Sequence, residues 1–328
     1  MLRQIRLALL VPTLGVAATT STFGVRGEIL PHRMASVQLH AVSNPFSVSA
    51  LAGPDGHFRF KNIQPGTYTL LVSSQLGGES RKTVEISAAT ADHRGQITLK
   101  VQAEEGSVNR EGSGATITAR EWQTPELALR EYRQAQKRIS KHDFDSARQC
   151  LRRAVEIDPR FAAAWNQLGT MAYQSQRYAE AETYFRRGLE ADPRAYEPLV
   201  NLGGVLLNLG KLKDALKYNS DAARRRPQDA LAHSQLGTAY AFAGQLDAAE
   251  KHLSLATHLD PDHFSHPQLL LAEVYARQNQ PGRAADQLQD FLSKHPEWPN
   301  ATSMKQLIAN WRDKSEQIAV QGAGEQRR

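Results

Sequence analysis

A chain of 328 residues with 41% hydrophobic and 23% charged residues has room for two or three domains, and its composition points away from wholesale disorder or a polytopic membrane protein. The formal charge of +6 comes from 40 basic and 34 acidic residues interspersed along the chain. No aromatic and basic surface motif accompanies that excess, so nucleic-acid binding is disfavoured. The single cysteine, Cys150, excludes an intramolecular disulfide and a thiolate metal cage. It reads as a small hydrophobe on a helix, because no His or Cys stands at motif spacing around it.

The first residues have the three-part form of a secretory signal: Arg3 and Arg6, an apolar run from Leu7 to Ala18, and small residues at Val16, Ala17 and Ala18. About a dozen apolar residues fall short of the roughly 20 that span a hydrocarbon core. Residues 1–18 are therefore expected to be a signal peptide cleaved after Ala18, leaving the mature protein in the periplasm or outside the cell. No cysteine follows the run, so a lipid anchor at a new N-terminal cysteine is not expected.

Between about 23 and 102 the period is two. Val37, Leu39 and Ala41 alternate with polar neighbours, as do Phe58 and Phe60, Tyr68 and Leu70, and Ile97 and Leu99. Turn signals separate these runs at Gly53-Pro54-Asp55-Gly56 and Gln64-Pro65-Gly66. The spacing predicts strands near 24–30, 35–42, 46–52, 57–61, 67–74, 80–87 and 95–101, arranged as a small antiparallel β-sandwich. The stretch from Asp55 to Leu70, with Val25-Arg26-Gly27 and Ala35 to Leu39 upstream, resembles carboxypeptidase regulatory-like domains. The Gly-rich connection usual in that family is replaced here by Leu30-Pro31-His32-Arg33. The resemblance implies an accessory sandwich and no peptidase activity, since no catalytic domain follows. Some members share a carbohydrate-binding-like fold, an association by fold alone.

Residues 103–121 are polar and Gly-containing, which predicts a flexible linker of roughly 25 Å root-mean-square reach that leaves the two modules free to move. Thr124-Pro125-Glu126 then predicts a helix start, with a capping hydroxyl, proline at the first helical position and an acid in the first turn.

Beyond that start the chain repeats. Pro159, Pro193, Pro227 and Pro261 recur every 34 residues and Pro296 follows after 35; Ala147, Ala181, Ala215, Ala249 and Ala284 keep the same step. Leu168-Gly169, Leu202-Gly203 and Leu236-Gly237 share it. This period with these residue types resembles the tetratricopeptide repeat, and the second copy matches the family pattern at Trp165, Leu168, Gly169, Tyr173, Ala181, Phe185 and Pro193. Small residues such as Gly169 and Ala181 belong where antiparallel helices approach closely. Gly210 and Gly244 permit the tight turn inside a hairpin, and each repeat-ending proline stops the second helix. The first copy, 128–161, has Gln134-Ala135 in place of Leu-Gly. The third has Asn219 where the second has Phe185, which predicts locally weaker packing.

The expected architecture is therefore a multidomain β + α chain. The sandwich is followed by an all-α tetratricopeptide superhelical solenoid of about five hairpins over 122–296. Met304, Leu307, Ile308 and Trp311 then form one apolar stripe behind Asn300, which predicts a capping helix over 297–316 and a disordered tail over 317–328.

No His-Glu-x-x-His, Gly-x-Ser-x-Gly, phosphate-loop or Cys-x-x-Cys pattern occurs, so no enzyme, cofactor or metal site is expected. His258, Asp260, Asp262, His263 and His266 straddle a proline-bounded turn and read as solvated surface. The clusters Arg152-Arg153, Arg186-Arg187 and Arg224-Arg225-Arg226 read as solvated faces or partners for helix-end carbonyls. Binding remains, and a solenoid supplies a concave groove for it. The family resemblance implies that Tyr132, Gln136, Asn166, Thr170, Tyr173, Val200, Leu207, Asn208, Ser234, Thr238 and Phe242 line that groove and hold a partner peptide or helix; Val200 and Leu207 suit inter-helix packing equally well. First-helix lysines of the kind that clamp acidic chaperone tails do not accompany Asn166 and Thr170. An exported interaction scaffold is thus expected. The alternative is a glycan-binding protein of the envelope or secreted space that uses the sandwich and spaces it with the repeats. That alternative is weakened because the sandwich has no Trp and its Phe58, Phe60 and Tyr68 fall on core-like alternation.

Overall fold

The structure, a computed structural model, describes residues 22–74, 79–102 and 124–325. The signal-like segment 1–18 and the linker 103–121 lie outside the described residues.

Seven strands form where the period-two runs stand: β1 Phe23–Leu30, β2 Ala35–Ala41, β3 Ser47–Ala52, β4 His57–Ile63, β5 Gly66–Ser74, β6 Glu79–Ile86 and β7 Gln96–Gln102. They make a three-stranded sheet in the order β4-β1-β7 and a four-stranded sheet in the order β3-β2-β5-β6. The apolar member of each alternating pair turns inward. Cross-strand partners Val37 and Val72, Leu39 and Leu70, and Ala41 and Tyr68 form one layer of the core, and Val25, Ile29, Phe58, Phe60, Ile97 and Val101 form the other. Gly27 is required by this packing, because a Cβ there would fall inside the Phe58 ring. Gly56, at φ +73, closes the 53–56 turn with its N–H donating to the Gly53 carbonyl at 2.9 Å. One expectation needs correction: the sandwich is not wholly antiparallel, since β7 pairs with β1 in parallel from Gly24–Gln96 to Leu30–Gln102. After β6 the chain crosses to the other sheet through residues 87–95, and that crossover reverses the direction in which β7 arrives.

Ten helices then pair as five hairpins: α1 Glu126–Ile139 with α2 Phe144–Ile157, α3 Ala162–Gln174 with α4 Tyr178–Ala191, α5 Tyr196–Asn208 with α6 Leu212–Arg225, α7 Ala230–Phe242 with α8 Leu246–Leu259, and α9 Pro267–Arg277 with α10 Pro281–Lys294. Inside each hairpin the chain passes through the left-handed region at one equivalent residue: His142, Gln176, Gly210, Gly244 and Asn279. Glycine supplies that conformation in two copies, and the other three hold it against the steric preference of a side chain. Where the two helices of a hairpin cross, a first-helix glycine lies under a second-helix side chain: Gly169 under Phe185, Gly203 under Asn219 and Gly237 under Leu253. The aspartates or other residues before each repeat-ending proline adopt extended or near-extended backbone, which ends the second helix on schedule.

Two helix boundaries differ from expectation. α1 begins at Glu126 with Pro125 at the cap position, and Thr124 makes no capping hydrogen bond. A residue before proline is held extended, which places the Thr124 hydroxyl one position too early to reach the first free N–H groups. The terminal helix α11 runs Ala301–Glu325, so the expected tail from 317 is helical through 325. Its first turns seal the array by burying Met304 and Ile308 on Leu288, Phe291 and Leu292. Nothing in 312–321 breaks the helix beyond that contact: proline is absent, and glycine first appears at Gly322.

Candidate functional site

The first helices of the hairpins carry the residues expected to bind, and the structure sorts them into three groups. The first is an open polar ladder between α3 and α5. The Asn201 amide donates to Asn166 Oδ1 at 3.0 Å, and the Asn208 amide donates to the Tyr173 hydroxyl at 3.2 Å and to the Gly204 carbonyl at 2.9 Å. Asn208 is exposed, Tyr173 sits edge-on to Tyr178, and Phe242 one hairpin further is 60% exposed above half-buried Leu207. Leu207, Gly210, Leu212 and Phe242 enclose a shallow apolar depression beside the ladder. Asn201 belongs to this row although the sequence reading passed over it; the step of 35 from Asn166 was the available signal.

The second group turns its polar atoms inward. Thr170 and Thr238 spend their hydroxyls on the carbonyls of Asn166 and Ser234 one helical turn earlier. The Tyr132 ring packs on Phe161 at 4.9 Å, and Val200 is buried. Gln136 stands apart from these groups, exposed on the first hairpin. The third group is Ser234 alone, which is buried rather than open, with its hydroxyl 2.6 Å from that of Ser265. The loop 260–266 folds over it, a placement that repeat spacing does not encode.

The sandwich rests on the array. Hydrogen bonds that join the two parts reach first helices or turns flanking them. At one end the Gln174 amide donates to the Asn44 carbonyl at 2.8 Å, and Phe46 stacks on His142 at 4.8 Å. At the other end strand β6 lies along the starts of α5, α7 and α9. Arg81 donates to Glu197 at 3.3 Å, stands 3.6 Å from Asp229 and lies over the Tyr196 ring. Thr83 donates both its backbone N–H (3.1 Å) and its hydroxyl (2.8 Å) to Asp260 Oδ2, and the Phe264 N–H donates back to that hydroxyl at 3.3 Å. The expectation of modules free to move is therefore corrected: they share a bonded contact surface. Its reason is visible on the outward face of the four-stranded sheet, where Ser36, Gln38, His40, Thr67, Thr69 and Arg81 are half-buried rather than solvated.

The electrostatics of this contact follow from burial. Asp229 caps α7 by accepting from the Leu231 and Ala232 N–H groups, and its other oxygen takes the Tyr196 hydroxyl at 2.8 Å. Desolvation pushes its carboxyl up, but Arg81 and these hydrogen bonds outweigh that and hold it below the usual carboxylate range. Asp260 moves the other way, raised by burial against the pull of Thr83. His263, buried beside it, accepts the Ser265 N–H at Nδ1 and is pushed down to about 4 by desolvation.

Comparison with known proteins fits the repeat geometry. The family profile described as "Tetratricopeptide repeat" matches residues 132–196, 172–236 and 230–263 in three overlapping registers. The hairpins within residues 132–263 are tetratricopeptide repeats. Protein bimA of Emericella nidulans is 34% identical over 89 residues, 27% of this chain and 11% of that protein. Superkiller protein 3 of Schizosaccharomyces pombe is 30% identical over 128 residues, 37% of this chain and 9% of that protein. The chain thus spans about a tenth of the length of these relatives. Among solved structures, YrrB, described as a TPR protein with an unusual peptide-binding site, is 25% identical with a TM-score of 0.48 and covers 59% of this chain and 100% of its own. PilF of Pseudomonas aeruginosa is 19% identical with a TM-score of 0.49, covering 60% and 90%.

Arginines of the expected clusters pair within the tetratricopeptide array. Arg153 pairs with Glu131, Arg186 with Glu182 and Asp214, and Arg187 with Glu190. Arg224 and Arg225 pair with Asp221, Arg225 also donates to the Pro193 carbonyl, and Arg226 stacks 3.8 Å above Tyr196. In the cluster 258–266, His258 and Asp262 are exposed as expected, whereas Asp260 is buried under β6, His263 is buried beside it, and His266 packs edge-on to Phe291 and Trp298. Among the described residues no group of His, Cys, Asp and Glu has the geometry to hold a metal ion. Cys150 is buried, with Arg153 3.2 Å from its sulfur. No described helix is long and apolar enough to cross a membrane.

Proposed function

We propose that this chain is an exported, non-enzymatic scaffold whose tetratricopeptide groove holds a peptide or helix of a partner protein in the periplasm or secreted space. Tetratricopeptide arrays act as protein-protein interaction scaffolds. The observation that carries the reading here is the exposed row of Asn208, Tyr173 and Phe242 beside the apolar depression at Leu207. Amides on such a row can hold partner backbone, and the aromatic rings can anchor side chains at more than about 1 kcal/mol each. Export rests on the basic start, short apolar run and small-residue exit of residues 1–18. The sandwich is read as an accessory domain of the carboxypeptidase regulatory-like class, with no peptidase role. Its five aromatic side chains, Phe23, Phe46, Phe58, Phe60 and Tyr68, are all buried, which counts against a stacking platform for sugars.

The test compares Tyr173→Ala with Asn208→Ala, made together, against Arg186→Ala with Arg187→Ala, each checked for unchanged helicity. Wild-type protein is used to capture partners from envelope extract with and without added polysaccharide, and the captured protein is titrated at low and high salt. The groove pair should lose binding, the arginine pair should retain it, and salt should matter little because the lining is neutral. Loss in the arginine pair alone, with steep salt dependence, would overturn the groove reading in favour of an anionic ligand. Intact-mass measurement of the envelope material should find the chain without its first 18 or so residues; a cytoplasmic species retaining Met1 sinks the export assignment.

A further inference from the structure

We infer that the rim formed by Tyr196, Glu197, Asp229, Asp260 and Phe264 is a second binding site, one that reads an extended protein strand carrying arginine and, two residues on, a hydroxyl; β6 fills it in cis. The inference rests on the scaffold reading and adds a partner class and a built-in competitor to it.

The argument begins with β6 itself. It pairs with β5 on one side and is the last strand of its sheet, so its other edge presents unpaired backbone groups that a protein must cover. The array supplies the cover. Arg81 and Thr83 point to the same face because strand side chains alternate, and they meet successive hairpins: Arg81 meets the starts of α5 and α7, and Thr83 meets the turn entering α9. Recognition is of two kinds. Asp260 takes the Thr83 backbone N–H, which any extended residue would offer, and also its hydroxyl, which only Ser or Thr would offer. Two carboxylates and an aromatic ring surround the Arg81 guanidinium, an arrangement that suits arginine better than lysine.

One of the rim's carboxylates stands at a recurring turn of the repeat. At the same turn in the first and second hairpins, Asp158 and Asp192 bend back to accept the N–H of Arg160 and Arg194. In the fourth, Asp260 likewise takes the Asp262 N–H and in addition reaches Thr83. Asp229 is already held by the α7 N-terminus and Tyr196, so its second oxygen is preset toward the arginine position before any strand arrives. A site preorganised in this way does not depend on the remainder of the sandwich. A partner strand with the same Arg-x-Thr or Arg-x-Ser spacing fits it by the same bonds once β6 leaves.

The experiment uses the full chain and a labelled peptide with the β6 sequence, residues 79–86. Wild-type protein is compared with the Arg81→Glu and Thr83→Val double variant, in which the rim is vacated, and with the same double variant carrying Asp260→Asn. A tethered competitor at roughly millimolar effective concentration weakens a peptide of about 0.1 mM affinity roughly tenfold. The vacated variant should therefore bind the peptide about tenfold more tightly than wild type. Adding Asp260→Asn should abolish that gain, and replacing the peptide's arginine by lysine or its threonine by valine should weaken it. Amide exchange at Thr83 supplies a second readout: slow in wild type and faster in the single variant Asp260→Asn. Equal binding to wild type and vacated protein, no binding to the vacated protein, or indifference to both peptide changes would each overturn the proposal. None of these outcomes touches the ladder at Tyr173 and Asn208, so failure of the rim and failure of the groove are distinguished.

Discussion

Replacing Asn219 by leucine should stabilise the array. Asn219 is completely buried between α5 and α6, and neither its amide nitrogen nor its carbonyl oxygen has a hydrogen-bond partner. A buried polar group left without partners costs about 1–3 kcal/mol. The equivalent position holds Leu151, Phe185, Leu253 and Leu288 in the other hairpins, all buried. Leucine fits the site, because Leu253 lies over Gly237 as Asn219 lies over Gly203, and in both hairpins the missing Cβ provides the room. Removing the orphaned amide and adding apolar contact with a side chain of the same branching should raise stability by about 2 kcal/mol. For an array of about 200 residues that corresponds to roughly 4–8 °C in the melting midpoint. Thermal and urea unfolding followed by circular dichroism at 222 nm would measure it, with Leu253→Asn expected to lose a similar amount. A midpoint for Asn219→Leu at or below that of wild type, with helicity unchanged, would show that Asn219 is satisfied in solution and refute the reasoning.

Gly169→Ala should destabilise by about 1–3 kcal/mol, since its Cβ would lie 2.5 Å from the Phe185 ring, and the same melts would report it. Gln176→Gly should stabilise by about 1 kcal/mol or less, because Gln176 is exposed at φ +58 and glycine enters that region without steric cost; an unchanged or lower midpoint contradicts the account. His263 should make stability fall in acid. Its folded pKa of about 4 lies below the ordinary value of 6.5, so between those values the unfolded chain takes up a proton that the folded chain refuses. Stability is then full above about pH 6.5 and is lost as pH falls toward 4, by about 3 kcal/mol for this group. His252 and His266 shift the same way, chiefly through burial. Urea midpoints taken from pH 7.5 to 4 should show the decline, and His263→Asn should make it shallower; a midpoint independent of pH would contradict the buried neutral imidazole.

Much of this molecule was legible from residues a few positions apart. The strands of the sandwich follow from alternation around Val37, Leu39, Tyr68 and Leu70, and the turn at Gly56 from a backbone angle that glycine adopts freely. The hairpins follow from the 34-residue step, and Asn219 stood out as the polar residue at an apolar position. Each of these depends on chemistry confined to one turn, one strand or one repeat. The sequence was less informative where a boundary depended on the absence of a breaker, as at the end of α11, or where a pairing followed a crossover between sheets, as in the parallel β1-β7 pair.

The site divides along the same line. Tyr173, Asn208 and Phe242 reach the open face because their place in the repeat puts them on first helices. What tertiary structure alone decided is the contact between Thr83 and Asp260, 177 residues apart, and with it the burial of His263 and Ser234. A strand face that docks on a neighbouring domain carries the same polar alternation as one that faces water, so Arg81 and Thr83 have no local signature of their partner. Only the stacking of three hairpins brings Glu197 and Asp229 to Arg81 and Asp260 to Thr83, two residues further along the strand.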